Sequence, residues 1–161
     1  MAGGPSIPQL AAAVSNTGSL GCPGCGYLSL NAIREQIRAT RTLTDKTFAV
    51  RFFTPKQTDP PSNVAMEEAR RLLEPYRKEM GLPKNPELPA KLEESLEEQI
   101  KVILQETPPV VCFTFGVPPE GFLGDSKELG IWTIGAAKCP EEVRVMRDTL
   151  EPVSFSVCLC F

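Results

Sequence analysis

Four glycines, Gly18, Gly21, Gly24 and Gly26, fall within nine positions of the stretch Gly18-Ser19-Leu20-Gly21-Cys22-Pro23-Gly24-Cys25-Gly26-Tyr27-Leu28-Ser29. Glycine lets the backbone take positive φ and approach a neighbour closely, and Ser29 is suited to cap a following helix. The stretch therefore reads as a short apolar strand, a glycine-rich turn and a helix start, which either faces a ligand or only makes a tight connection. Within it, Cys22-Pro23-Gly24-Cys25 is a Cys-x-x-Cys, open to three readings: a redox dithiol, half a zinc site, or small side chains packed in a turn. Zinc lacks its other half, because there is no second such pair and no histidine, and Cys112, Cys139, Cys158 and Cys160 are remote in sequence. A thioredoxin-type pair belongs after the first strand of a different topology, so packing is the favoured reading. The absence of histidine also removes the commonest general base and any Ser-His or Cys-His nucleophile pair.

The elements that would position this chemistry alternate. Pro8 suits the first turn of a helix that carries Leu10, Ala11 and Val14 to a stop at Gly18. Leu30, Ile33 and Ile37 recur at helical spacing while Arg34, Glu35, Gln36, Arg38 and Arg41 point elsewhere, as in an amphipathic helix covering a sheet. Phe48 to Phe53 reads as a buried strand in which only Arg51 breaks the apolar run. A helix from Ser62, bent or interrupted at Pro75, ends at Gly81. Another helix spans Lys91 to Glu106, with its glutamates on a solvated face. Val110 to Phe115 is the next strand, and a short helical segment leads to Gly130. Ile131 to Ile134 is a strand followed by a close-approach turn at Gly135-Ala136-Ala137, and Pro140 opens a helix towards Leu150. Val153 to Phe161 alternates like a last strand.

Strands of nearly continuous apolar character between amphipathic helices imply an α/β fold with a parallel sheet, and ligands at the strand C-termini. About five strands are present, whereas a closed barrel has eight. The chain reads as part of a barrel. With 161 residues, 42% hydrophobic and 23% charged, its composition is that of an ordinary globular domain. A net charge of -3 without a basic face argues against nucleic acid and anionic membranes as partners. With neither a membrane-length apolar run nor a signal peptide, the chain reads as intracellular and cytoplasmic, with free thiols.

Met1-Ala2-Gly3-Gly4, the helix with Gln9-Leu10-Ala11-Ala12-Ala13-Val14-Ser15-Asn16, then Gly18-Ser19-Leu20-Gly21, Gly26-Tyr27-Leu28-Ser29 and Phe113-Thr114-Phe115-Gly116 together resemble the nitronate monooxygenase family, formerly 2-nitropropane dioxygenase. The likeness runs from residue 1 to about 150. It implies a TIM barrel that binds FMN non-covalently and oxidises alkyl nitronates with molecular oxygen to a carbonyl compound and nitrite. A flavin-dependent enoyl-thioester reductase is the neighbouring alternative within the same superfamily.

By that resemblance, residues 1–150 form the N-terminal part of the FMN-dependent barrel domain, and 151–161 are a divergent tail. The family's Pro-Met-x-Gly segment beside the flavin carries over to Met1, Ala2 and Gly3, without its proline or the strand before it. Arg51 stands where the family often has a flavin-contacting Asn. It faces either the flavin or an anionic nitronate, or points into the helix layer and snorkels to solvent; the second is favoured. Ala136 stands where many relatives carry a polar flavin contact. The family's substrate-handling histidine and phosphate-gripping loops find no counterpart, so no catalytic residue carries over and no metal site is expected. The expectation is a truncated chain that is inactive alone, or that self-associates through unpaired strand edges.

Overall fold

The computed structural model describes residues 4–54, 61–83, 94–137, 139–149 and 157–159. The chain divides into two compact units, Gln57–Leu92 and the remainder, Met1–Lys56 with Glu93–Phe161. Met1, Ala2, Gly3 and most of the 151–161 tail lie outside the described residues.

In the larger unit the order is α1 (Pro8–Asn16), α2 (Leu30–Leu43), β1 (Ala49–Phe53), α4 (Leu96–Glu106), β2 (Val110–Thr114), α5 (Glu120–Glu128), β3 (Trp132–Ala137), α6 (Pro140–Thr149) and β4 (Val157–Leu159), with α3 (Asn63–Glu79) in the smaller unit. The four strands form one sheet in the order β1-β2-β3-β4, all parallel. Two parallel bridges, Gly21 to Phe48 and Gly24 to Arg51, set the 21–24 segment along the other edge of β1. Spatial order thus follows chain order without the reversal of a doubly wound sheet.

Local sequence explains most boundaries. Pro8 sits in the first turn of α1, and Gly18 takes φ 89° just after it. The Ser29 hydroxyl accepts from the Ala32 amide at 3.4 Å to cap α2. Val50, Phe52, Val111, Phe113 and Ala137 turn to one face of the sheet and pack with Ile33 and Ile37 of α2, Ile100 and Ile103 of α4, Phe122 of α5 and Met146 of α6. This is the main core. Ala49, Val110 and Cys112 form a second, smaller cluster with Cys22 and Ile134 on the far face of the sheet.

Four expectations are corrected. The helix of the smaller unit runs from Asn63 to Glu79 without interruption at Pro75, and Gly81 at φ 66° follows its end. The next helix starts at Leu96, where Ser95 accepts from the Glu98 amide, rather than at Lys91. Gly135, Ala136 and Ala137 are the second half of β3, not a turn. Gly135 does serve close approach, since a β-carbon there would lie 2.8 Å from Met146 Sδ and 2.9 Å from the Phe113 ring. Finally, Gly21 and Gly24 themselves pair along β1, so glycines read as the turn after the strand belong to the paired segment.

The glutamates of α4 divide. Glu97 and Glu98 are solvated, but Glu106 is only 6% exposed and is clamped from α2. Arg38 donates to it twice, Nη2 to Oε1 at 2.7 Å and Nε to Oε2 at 3.0 Å, and Arg34 Nε adds 3.2 Å. The Arg41 guanidinium donates to the Glu106 carbonyl at 2.6 Å, closing the C-terminus of α4. Arg38 first and Arg34 second hold the carboxyl below the usual carboxylate range, against the opposing effect of burial.

Candidate active site

The site is built where the C-terminal ends of the 21–24 segment, β1 and β2 meet. At the other end of that segment, Gly21 fits beside α1 because it has no side chain: a β-carbon would strike the Ala11 carbonyl oxygen. Its amide donates to Ser15 Oγ at 3.1 Å, and its carbonyl accepts from the Ala49 amide at 2.8 Å. The glycine stretch is therefore pinned between α1 and β1, and Arg51 backbone groups bond to Pro23 and Cys25 farther along it.

Strand register sorts the far face into rows. Ala49, Val110 and Trp132 are aligned, then Arg51, Cys112 and Ile134, then Phe53, Thr114 and Ala136. Arg51 is exposed and lies on this face, away from the helix layer into which snorkelling was favoured. Side chains alternate along a strand, so a residue between Val50 and Phe52, both packed on the helices, must point the other way. Arg51 and Ala136 thus occupy one face, in adjacent rows.

The Cys-x-x-Cys does not act as a pair. Cys25 is wholly buried in the helix-side core, where burial pushes its thiol up to about 12, while Cys22 belongs to the far-face cluster. The partner of Cys22 is Cys112. The interaction of the two thiols raises Cys22 and lowers Cys112, and the Arg51 guanidinium adds to the lowering. Cys22 also contacts the Pro23 carbonyl at 3.6 Å. Cys22, Cys25, Cys112 and Cys139 are free thiols. Among the described residues, no cluster of three or more His, Cys, Asp or Glu is placed to hold a metal.

Above Arg51, three aromatic rings close the row. Tyr27 meets Phe53 edge-on with ring centres 5.0 Å apart, and Phe115 meets Phe53 at 5.0 Å on its other side. Gly26 makes room for this, since a β-carbon there would lie 2.5 Å from the Phe53 ring. Phe115 adopts φ 76°, a left-handed conformation that costs a residue with a β-carbon energy. Its neighbours hold it: Thr54 donates to the Thr114 carbonyl through its amide at 2.9 Å and its hydroxyl at 3.1 Å, and Gly116 lies against the Thr54 carbonyl. At the same end, a cavity of about 560 Å³ is lined by Thr54, Leu96, Phe115, Val117, Val145 and Met146, with Glu141 and Glu142 at its edge.

The family model for nitronate monooxygenase matches residues 1–150. The chain belongs to the nitronate monooxygenase family. A probable nitronate monooxygenase of Staphylococcus aureus strain MSSA476 is 35% identical over 139 residues, 86% of this chain and 39% of the relative; the strain MRSA252 protein aligns equally. A structure of nitroalkane oxidase from Streptomyces ansochromogenes superimposes with TM-score 0.79 at 32% identity, covering 92% of this chain and 42% of that one. FabK from Thermotoga maritima, at 24% identity and TM-score 0.58, covers 89% and 34%, a likeness of fold. The chain thus spans about two fifths of the length of the relatives it matches. No helix among the described residues is long and apolar enough to cross a membrane.

Sequence reasoning selected Arg51 and Ala136 as family positions, and they share a face. It passed over Tyr27, Phe53, Phe115 and Cys112. Phe53 and Cys112 were readable, because period-two alternation puts Phe53 on the side of Arg51, and Cys112 faces the same way once β1 and β2 are in register. The conformation of Phe115 had no signal in residue type.

Proposed function

We propose that this chain supplies the first part of an FMN-binding TIM barrel that oxidises alkyl nitronates with molecular oxygen to a carbonyl compound and nitrite. Family membership supports the reaction class, and consecutive parallel strands with helices on one face support the partial barrel. The observation that carries the reading is Arg51. It is an exposed cation at the row below the strand ends, on the face opposite the helices, and among the described residues it forms no ion pair with a carboxylate. An exposed guanidinium there suits the anionic edge of a flavin ring or a nitronate.

The described residues fit the ring end of FMN: a cation and a small residue at Ala136 lie in adjacent rows of one face. Met1, Ala2 and Gly3 complete the proposed cofactor side by family resemblance. When bound, FMN supplies the electron transfer. Arg51 would orient and neutralise the anion, while Ala136 gives space without a polar contact.

The test is to purify the chain, titrate it with FMN while recording the visible spectrum, and assay nitrite from propionate 3-nitronate. Stoichiometric yellow protein that releases nitrite supports the proposal. A second reading, that the chain alone is an inactive partial barrel, is favoured by Trp132, which is 57% exposed on the far face where a closed barrel packs its interior. Colourless protein that light scattering finds associated would support that reading, with self-association through strand edges or this face.

A further inference from the structure

The geometry points to Arg51 and the aromatic rim above it, Tyr27, Phe53 and Phe115, as a binding site for a small organic anion bearing an aryl substituent, which makes aryl-substituted nitronates the substrate class. This rests on the nitronate reading above and specifies its substrate. The anion end is Arg51: its guanidinium fork matches a planar two-oxygen anion, and the groups of adjacent elements facing it are the Cys22 and Cys112 thiols rather than a carboxylate. The apolar end begins at Phe53, two residues farther along the same face of β1, a rise of about 7 Å. Tyr27 and Phe115 flank Phe53 and remain 71% and 46% exposed, offering ring faces and edges to a ligand that Arg51 has anchored.

The rim is built rather than left over. Gly26 omits the β-carbon that would strike Phe53, and Gly116 omits the one that would strike the Thr54 carbonyl. Phe115, next to Gly116, takes a left-handed conformation, and hydrogen bonds from Thr54 fix the carbonyl of the preceding Thr114. Strain of this kind persists where the surroundings impose it, and a rotated Phe115 would leave the Phe53 contact. Three rings from three successive strand ends thus meet at Phe53, one row beyond Arg51.

The test uses carboxylates as stable stand-ins, because a carboxylate and a nitronate are both planar two-oxygen monoanions. The full chain, without flavin, is titrated by calorimetry with 3-phenylpropionate, propionate and 3-phenylpropanol. The aryl acid should bind about tenfold more tightly than either comparison ligand. Arg51→Gln should bring acid and alcohol to equal affinity. Tyr27→Ala and Phe115→Gly should each weaken the aryl acid about fivefold, with little change in propionate affinity and with thermal melting retained. Equal affinity for propionate and 3-phenylpropionate would overturn the inference, as would an Arg51→Gln protein that still prefers acid to alcohol. So would a dimer that Tyr27→Ala dissociates without altering aryl acid affinity, which would make the rim a self-association surface. Since binding is read without flavin, a chain that fails to release nitrite with FMN would leave this site standing, and failure here would leave FMN-dependent nitronate oxidation standing.

Discussion

Replacing Phe115 by glycine and by alanine separates the strain at this residue from its contacts. At φ 76° a residue with a β-carbon pays about 1–2 kcal/mol relative to the right-handed or extended regions. Both substitutions remove the ring and its contact with Phe53, worth about 1 kcal/mol for a half-exposed aromatic pair. Alanine keeps the left-handed cost, so Phe115→Ala should lose about 1 kcal/mol. Glycine regains that cost but adds about 0.5–1 kcal/mol of unfolded-state entropy, which leaves Phe115→Gly within about 0.5 kcal/mol of the parent. At the middle of these ranges glycine therefore stands above alanine by about 0.7 kcal/mol, or about 1–3 °C in Tm for a chain of this size. The same pair of substitutions at Thr114, in the body of β2, should show the opposite order, because glycine weakens a strand. Thermal denaturation followed by circular dichroism reads both. If Phe115→Ala melts at or above Phe115→Gly, the residue is not strained in the folded protein, and the argument that its ring is held in place for a ligand loses its main support.

Three further outcomes follow from the packing. Gly21→Ala forces a β-carbon onto the Ala11 carbonyl, a backbone atom that cannot rotate away, so urea unfolding should show a loss of about 2–3 kcal/mol as α1 is pushed from the sheet. Glu106→Gln should cost about 2 kcal/mol at neutral pH, reduced from the fully buried case because its arginines are solvated. Because the folded-state value of Glu106 is depressed, its contribution is complete above the unfolded value of about 4.3 and fades as pH falls through the folded one; the variant should flatten that acid limb of the stability profile. For the thiols, the pH midpoint of mixed-disulfide formation at Cys112 by a small thiosulfonate, which releases sulfinate, should lie below that of an ordinary thiol and move up in Arg51→Gln, whereas Cys25 should stay unlabelled near neutrality.

The alternation of strands and helices was legible because it depends on local chemistry. Pro8, Ser29, Ser62 and Gly81 act within a turn of their own position, and the runs at 48–53 and 110–115 are β-branched or aromatic whatever surrounds them. The departures come from interactions between distant segments. Pro75 should break an isolated helix, yet α3 continues through it. Gly135 looked like a turn because glycine usually marks one, but in β3 it admits Met146 of α6 against the sheet. Glu106 looked solvated because it follows a run of exposed glutamates, but three arginines of α2, more than sixty residues earlier, enclose it.

The candidate site was less legible than the fold for a related reason. A strand covered on both faces shows a continuous apolar run, and that run hides which residues share a face. Arg51 was the exception that could have restored the period: counting two residues at a time from Val50 and Phe52, which join the helix-side core, leaves Ala49, Arg51 and Phe53 for the far side. Applied to the paired strands, the same count collects Cys112 with Arg51, and Thr114 and Ala136 with Phe53. Spacing cannot reveal that Tyr27 and Phe115 fold over Phe53 from the adjoining connections, since this depends on Gly26 and Gly116 yielding space to atoms of β1 and the residue that follows it. The glycines were visible from the start. What they make room for became visible only when β1 was set between its two neighbours, and the rim follows from that register.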